Sequence, residues 1–410
     1  MALHVVATRS DGSVFTLPWS TPLAEWDERY VVPAARGLSR HVVRIVRVDQ
    51  QMLAVKETDE RIAFREYRLL RELQRLGQPV VVARAVVTGR RTEDGTELPA
   101  ALVTDHLHYS LPYRTLFQHG MQGEQLPLLV DALVVLLVRL HLAAFHWGDV
   151  SLSNALFRRD AGGFAAFLVD AETGELHPTL SEQMREHDVA VGLENVFAEL
   201  LDLQAAGDLD PDVAAHDVVE LLSERYRALW QEVTAAEEFD AAEWWRVEER
   251  LGRLNDLGFD VDELDVRADG ERVRITPKAV EAGHHRRELR ELTGLNVEDE
   301  QARKLLNDLA AFTAAHDLGA LDRATVARRW LTTVYTPLVG LVPAERSAEV
   351  NPPEYFHEVM EHRWRLSEQA GYEVDIFGAA TDFIEHVLPN RPPDVQWRTD
   401  ATGGPGTGSP

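Results

Sequence analysis

Apolar and polar positions alternate with a period of two in short stretches near the start of the chain, then recur at helical spacing over most of the remainder. Val5-Val6-Ala7 with Val14-Phe15-Thr16 about Asp11-Gly12 reads as a hairpin. Val42 to Val48 with Met52 to Glu57 about Asp49-Gln50 reads as a second, and Ala83 to Gly89 with Ala100 to Thr104 near Asp94-Gly95 as a third. Between the last two, Ile62, Leu69, Leu73 and Leu76 share one side of a helix over 59–76, with Asp59 as its cap and Gly77 as its stop. A small antiparallel sheet with one helix is therefore expected.

Beyond Leu102-Val103-Thr104-Asp105-His106-Leu107 the helical period takes over, with helices expected over Gln125 to Phe145, Ser181 to Leu203 and Glu237 to Asp256. Trp244 and Trp245 in the last of these read as core residues. A boundary falls at Gly258 to Asp265, ahead of a hairpin pairing Leu264 to Arg267 with Arg272 to Ile275 about Asp269-Gly270. Pro277, Asn296, Asp322, Asn351-Pro352-Pro353 and Asp375 each read as the start of a helix, and Gly371 as a stop. The expected parts are 1–105, a sheet-rich lobe; 106–260, a helical lobe; 261–392, a mainly helical domain; and 393–410, a Gly- and Pro-rich disordered tail.

Composition narrows the setting. A chain of 410 residues is long enough for two or three domains, and the absence of cysteine excludes disulfides, thiolate metal sites and cysteine nucleophiles. A net charge of -26 argues against general nucleic-acid or anionic-membrane binding. The longest apolar run, Leu126 to Leu142, is interrupted by Asp131 and Arg139, so a buried helix is expected there and no membrane span. Met1 to Val5 is neither basic nor followed by a long apolar stretch, so no signal peptide is expected, and a cytoplasmic location follows.

The chemistry concentrates in Gly148-Asp149-Val150-Ser151-Leu152-Ser153-Asn154 and in Asp170 at the end of Phe164 to Val169. An Asp and an Asn five apart on a tight loop can aim a proton acceptor and a metal-holding amide oxygen at one point, while a carboxylate from a neighbouring strand grips the same metal. Arg158 to Gly163 supplies the turn that brings Asp170 back beside Asn154. Far upstream, an alternating strand delivers Lys56 after Ala54-Val55, much as the Val-Ala-Ile-Lys strand of kinases does. Only three of the 42 basic residues are lysines, so a strand lysine suggests a task that needs a compact ammonium, such as contacting phosphates. Glu66, in the middle of the following helix, is the expected ion-pair partner of Lys56, with Glu60 as the fallback.

The run Trp147-Gly148-Asp149-Val150-Ser151-Leu152-Ser153-Asn154 resembles the loop of the lipopolysaccharide kinase (Kdo/WaaP-like) group and its atypical RIO-type relatives. Together with Val169-Asp170-Ala171-Glu172-Thr173-Gly174-Glu175 and Gly37 to Arg44, the chain is similar to an uncharacterised actinobacterial family. In that family a kinase-like half, here about 30–205, precedes a C-terminal domain of unknown function, here about 265–390. The resemblance implies an α+β, bilobal protein-kinase-like fold with an appended mainly helical domain. It implies ATP and Mg2+ as cofactors, Asp149 as catalytic base, Asn154 and Asp170 as magnesium ligands, Lys56 as phosphate anchor and Glu66 as its partner. Gly37, Ser39 and Arg40, with His41, are the expected phosphate cover, and the backbone of Asp105 and Leu107 the expected adenine contacts. The sequence departs from the kinase pattern at Trp147, where His is usual, at Asp170-Ala171-Glu172 in place of Asp-Phe-Gly, and in having one glycine in the covering loop. Asp188 is expected either to reach back to the loop backbone or to be a solvated acid.

The expected activity is transfer of a phosphoryl group from ATP to an unidentified hydroxyl acceptor, small molecule or protein; the alternative is a non-catalytic pseudokinase that uses nucleotide or partner binding as a switch. His357 and His362, five apart on a helix, lie about 140° from one another around it and are not expected to share a metal. The basic residues His284 to Arg287, Arg290, Arg303-Lys304 and Arg328-Arg329 stand out in an acidic chain, and Arg286, Arg287 and Arg290 are candidates to recognise an acidic acceptor or partner.

Overall fold

The computed structural model describes residues 3–8, 12–32, 41–49, 51–119, 121, 125–240, 243, 245–256, 259–269 and 272–395. Gly37, Ser39, Arg40 and Trp244 lie outside the described residues, as does the expected tail 393–410 from residue 396 on. The described residues form two compact units: those up to 158 together with 164–235, and 159–163 together with those from 236 onward.

The first unit opens with a five-stranded antiparallel sheet. Its strands are β1 (His4–Ala7), β2 (Val43–Val48), β3 (Gln51–Thr58), β4 (Ala83–Thr88) and β5 (Ala100–Asp105), in the order β1-β4-β5-β3-β2. The expected partner of β1 is corrected: β1 pairs with β4, and Gly12–Thr16 is a 3-10 turn. Val14 and Leu17 are buried at a spacing of three, which suits that turn, and with Trp19, Leu23 and Trp26 they cover Val46, Leu53, Val55 and Val103. The Trp19 indole donates to the Val14 carbonyl at 2.7 Å, satisfying the polar end of a buried aromatic.

Helix α1 (Glu60–Arg75) is capped by Asp59, whose side chain accepts from the Arg61 amide, and Gly77 beyond its end takes φ 71°. Its buried stripe is Ala63, Glu66, Tyr67, Leu70 and Leu73, one position off the expected face, and Leu76 is exposed. A carboxylate thus occupies the middle of an apolar stripe, which requires a partner.

After β6 (Ser110–Leu111) and α2 (Tyr113–Gln118) come α3 (Leu126–Leu142), β7 (Phe145–His146), β8 (Ala155–Asp160), β9 (Gly163–Leu168), β10 (Glu175–Leu176), α4 (Glu182–Ala206) and α5 (Ala215–Thr234). The helix expected to reach Phe145 stops at Leu142, because Ala144 takes φ 56° and Phe145-His146 pairs with β10. Strands β6, β8 and β9 form a small sheet. The far end of β9 is tied to the segment before β4: the Leu168 amide donates to Pro79 O at 2.9 Å and the Val81 amide to Leu168 O at 3.1 Å. Those bonds carry Asp170 toward the five-stranded sheet.

The second unit contains β11 (Glu237–Asp240), α6 (Trp245–Asp256), β12 (Phe259–Asp269), β13 (Arg272–Ala282), α7 (His284–Thr293), α8 (Asp299–Ala315), α9 (Arg323–Trp330), α10 (Thr336–Val339), α11 (Pro352–Ala370) and α12 (Ile376–Asp382). Two expectations are corrected here. Residues 237–240 are a strand rather than the start of a helix, with Phe239 buried against Val273 and Ile275. Pro277 lies inside β13 opposite Leu264, at a place where β11 no longer pairs, so its missing N–H costs no ladder bond on that side. The helix begins instead at His284, after Gly283 in the left-handed region. Among the basic residues singled out above, Arg303 pairs with Glu300, and the Arg286 amide donates to Asp299. His357 pairs with Glu361 and His362 with Asp382, so each histidine has a carboxylate of its own.

Residues 159–163, the tip of the β8–β9 hairpin, are built into this second unit. Glu354, buried, accepts from the Ala161 amide at 2.8 Å and from Gln301 Nε2 at 3.0 Å, while Asp160 accepts from the Gln301 amide at 2.7 Å in the first turn of α8. Burial, then the neighbouring Glu298 and Glu354 carboxylates, push the Asp160 carboxyl well above its ordinary value against the pull of two backbone amides. Glu354→Ala would leave a buried Gln301 N–H unpaired, worth about 1–3 kcal/mol, and would free the half-buried Ala161 amide. We expect calorimetry to show a lower melting temperature for the second unit in this variant; an unchanged melt would contradict the role given to Glu354.

Candidate active site

Lys56 is where the sheet and its helix meet. On β3 it lies between Val43 of β2 and Leu102 of β5, and its ammonium is hydrogen-bonded to three carboxylates: Glu66 Oε2 at 3.1 Å, Asp170 Oδ2 at 2.7 Å and Glu172 Oε2 at 3.1 Å. The partner of Lys56 on α1 is thus Glu66, and the fallback Glu60 is not needed. Burial works against the charged lysine, but the three carboxylates outweigh it and raise its pKa. Glu172 also lies 2.9 Å from His41 Nε2. The Ala171 amide reaches Glu66 Oε1 at 3.4 Å and the Glu172 amide donates to Asp170 Oδ1 at 3.0 Å, so the backbone after β9 is anchored by the acids it brings together.

Burial first, then the Asp170 charge, push Glu66 up to about 7, against the opposing pull of Lys56 and the Ala171 amide. The folded chain therefore holds a proton on Glu66 that the unfolded chain releases near 4.5. That preference stabilises the fold below this pH and is lost as pH rises through about 7. Measured against Glu66→Gln without nucleotide, wild-type stability should fall by at most about 3 kcal/mol between these limits. Chemical denaturation across the range tests this; a pH-independent difference would contradict it.

The second half of the site is the loop after β7. Gly148 takes φ 78°, and an added Cβ would stand 3.2 Å from the Thr173 carbonyl, so the turn calls for glycine. Asn154 Nδ2 donates to the Asp149 carbonyl at 2.9 Å and to Asp149 Oδ2 at 3.0 Å, closing the loop on itself. The Val169 amide donates to Asn154 O at 3.1 Å, which sets Asp170 next in line beside Asn154. Residues 56, 66, 149, 154 and 170 are thereby linked through two connected clusters of bonds.

Asp188 reaches back to this loop. Fully buried, it accepts from the Trp147 amide at 2.6 Å and the Gly148 amide at 2.7 Å, with His141 Nε2 at 3.2 Å. Burial alone would raise its pKa, but the hydrogen bonds from His141, Trp147 and Gly148 prevail and lower it. Trp147, where kinases usually have His, is fully buried and acts as packing beneath the loop. At the opposite end, the Asp105 amide is donated to Val82 O at 2.8 Å and its carboxylate is paired with Arg84. Of its two backbone groups, the carbonyl is therefore the one to consider for a base. Leu107 O accepts from Ser110 Oγ at 2.6 Å.

Glu172, Asn195 and Glu199 were not foreseen as site residues. Glu172 is brought beside Asp170 by the turn after β9, in which its amide bonds the Asp170 carboxylate, and nothing local in the sequence marks it. Among the described residues, Glu66, Asp170 and Glu172 form the one acidic group whose oxygens come within 4.8 Å of one another, a spacing that suits a divalent cation.

A strand lysine paired with a helix glutamate, a loop Asp and Asn, and an Asp just past a strand end, all on a mixed α and β unit, make up a kinase-like arrangement. Residues 43–223 match the lipopolysaccharide kinase (Kdo/WaaP) family, and residues 228–388 match a domain of unknown function, DUF4032. The two matches follow one another along the chain, the kinase family over its N-terminal part and DUF4032 over its C-terminal part. It is similar to the solved structure titled "WaaP in complex with acyl carrier protein", with 17% identity and a TM-score of 0.33 over 55% of this chain and 97% of that one. No curated protein matches the chain. Among the described residues no helix is long and apolar enough to cross a membrane.

Proposed function

We propose that the chain is an ATP- and magnesium-dependent phosphotransferase acting on a hydroxyl acceptor. The observation that carries this reading is the Lys56 ammonium bonded at once to Glu66 and Asp170, residues that converge from a strand, a helix and the end of a distant hairpin. Even with a proton on Glu66, one ammonium against the Asp170 and Glu172 carboxylates leaves the pocket short of positive charge. A polyphosphate alone would be repelled, whereas a magnesium-bound nucleotide brings the missing charge.

In this reading Asp170 and Asn154 hold the metal, and Glu172 is a third candidate ligand. Lys56, kept in place by Glu66, contacts the nucleotide phosphates, and Gly37, Ser39 and Arg40 cover them. The backbone of Asp105 and Leu107 borders the adenine. Magnesium, when bound, would neutralise charge building on the transferred group. Asp149 accepts the proton of the attacking hydroxyl, its carboxylate aimed by the amide of Asn154.

The test is ADP formation from ATP by the full chain, with and without EDTA, against a panel of sugars, polyol headgroups and hydroxyl-bearing proteins. Magnesium-dependent turnover supports the proposal. Nucleotide binding without any turnover would favour the pseudokinase reading instead.

A further inference from the structure

Resting on the phosphotransferase reading, we infer that Asn195, on the face of α4 that meets the catalytic loop, is a positioning residue for the Asp149 carboxylate. Four residues of α4 carry the argument: Asp188, Gly192, Asn195 and Glu199. At 3.6 residues per turn they fall within a sector of about 60°. Each meets a different part of the loop, in chain order. Asp188 accepts from the Trp147 and Gly148 amides. Asn195 Nδ2 donates to Asp149 Oδ1 at 3.1 Å and to the Val150 carbonyl at 3.0 Å. Glu199 accepts from the Leu152 and Ser153 amides, each at 2.9 Å, and from the Ser153 hydroxyl.

Gly192 is what lets the helix approach. A Cβ there would stand 2.9 Å from Val150 Cγ1 and 3.2 Å from Val150 Cβ, so any larger residue forces helix and loop apart. The loop therefore rests on the helix from Trp147 to Val150 and again at Leu152 and Ser153, where backbone polar groups are satisfied by side chains rather than by a ladder.

The consequence for chemistry lies at Asp149. Its two carboxylate oxygens each receive an amide N–H, Oδ2 from Asn154 and Oδ1 from Asn195. Asn154 belongs to the loop and moves with it, so it cannot by itself fix the carboxylate relative to the rest of the site. Asn195 belongs to a 25-residue helix and can. Losing it would free the carboxylate to rotate, and small misplacements of a reacting group are costly to the chemical step. Neither Asn195 nor Gly192 faces the residues assigned to the nucleotide, so their loss should spare ATP binding.

The experiment compares wild type, Asn195→Ala, Asn195→Asp and Gly192→Ala in the full chain, by ATP turnover as a function of pH and by the melting shift with Mg-ATP. Asn195→Ala should lower kcat about ten- to hundredfold with the KM for ATP and the melting shift retained. Asn195→Asp sets a carboxylate beside Asp149, so the acidic limb of the kcat profile should move to higher pH by about a unit or more. A general loss of structure would not move that limb. Gly192→Ala should lower kcat while keeping the Mg-ATP shift. Turnover in wild type with unchanged kcat and pH profile in the Asn195 variants would overturn the inference alone; absence of turnover in wild type would overturn it together with the function it rests on.

Discussion

Asp170→Ala is expected to abolish the stabilisation of the protein by Mg-ATP. Asp170 lies at the junction of the two halves of the site, bonded to Lys56 and following the residue whose amide is tied to Asn154. Its removal takes away a proposed metal ligand and one of the three groups that hold the lysine. A ligand at a hundredfold excess over its Kd stabilises the native state by about 2.7 kcal/mol. For a unit of this size that is a rise of about 5–10 °C in Tm. In the variant the rise should shrink to within error at any magnesium concentration, while the melt without nucleotide still shows a cooperative transition. A full shift in Asp170→Ala would remove this residue from the metal site.

Asp149→Asn should do the converse, keeping ATP binding and losing transfer. The amide has the shape of the carboxylate, but it cannot take a proton from a hydroxyl, and general base catalysis contributes about 10²- to 10⁴-fold. Asp149 is held by the Asn154 and Asn195 amides, whereas Lys56 is held by Glu66, Asp170 and Glu172. The melting shift with Mg-ATP should therefore be unchanged and kcat should fall by about that factor. Equal turnover in the two proteins would end the assignment of Asp149 as base and make a nucleotide-operated switch the better account.

The parts of this site legible in the sequence were those set by local chemistry. An alternating strand ending in Lys56, a helix opened by Asp59, and a turn between Asn154 and Asp170 each announce themselves within a few residues, and together they brought the kinase-like fold into view. The stripe of α1 was misplaced by one position at Ile62 and Leu69, which stay half-buried while Ala63 and Leu70 turn fully inward beside Glu66, whose pairing with Lys56 lets it be buried. Val14 to Thr16 has the composition of a strand, but Trp19 and Trp26 demand a cover over the sheet that only a tight turn supplies.

Two further failures share a cause in tertiary pairing. The β11 strand and the place of Pro277 depend on which edge of β13 is occupied, and nothing local to either segment states that. The grip of α4 on the loop was half visible. Asp188 stood out because an acid near the loop has an obvious use, while nothing local marks Asn195 and Glu199, which reach the loop because Gly192 lets the helix close to it.

The central claim is that Lys56, Asn154 and Asp170 form one Mg-ATP site, and the most direct measurement is the melting temperature of the full chain with ATP and magnesium added singly and together. The account predicts a rise of several degrees that requires both, with EDTA reversing it and Asp170→Ala lacking it. No shift at millimolar ATP with magnesium, manganese or calcium would contradict the account and remove the phosphotransferase and the nucleotide switch alike.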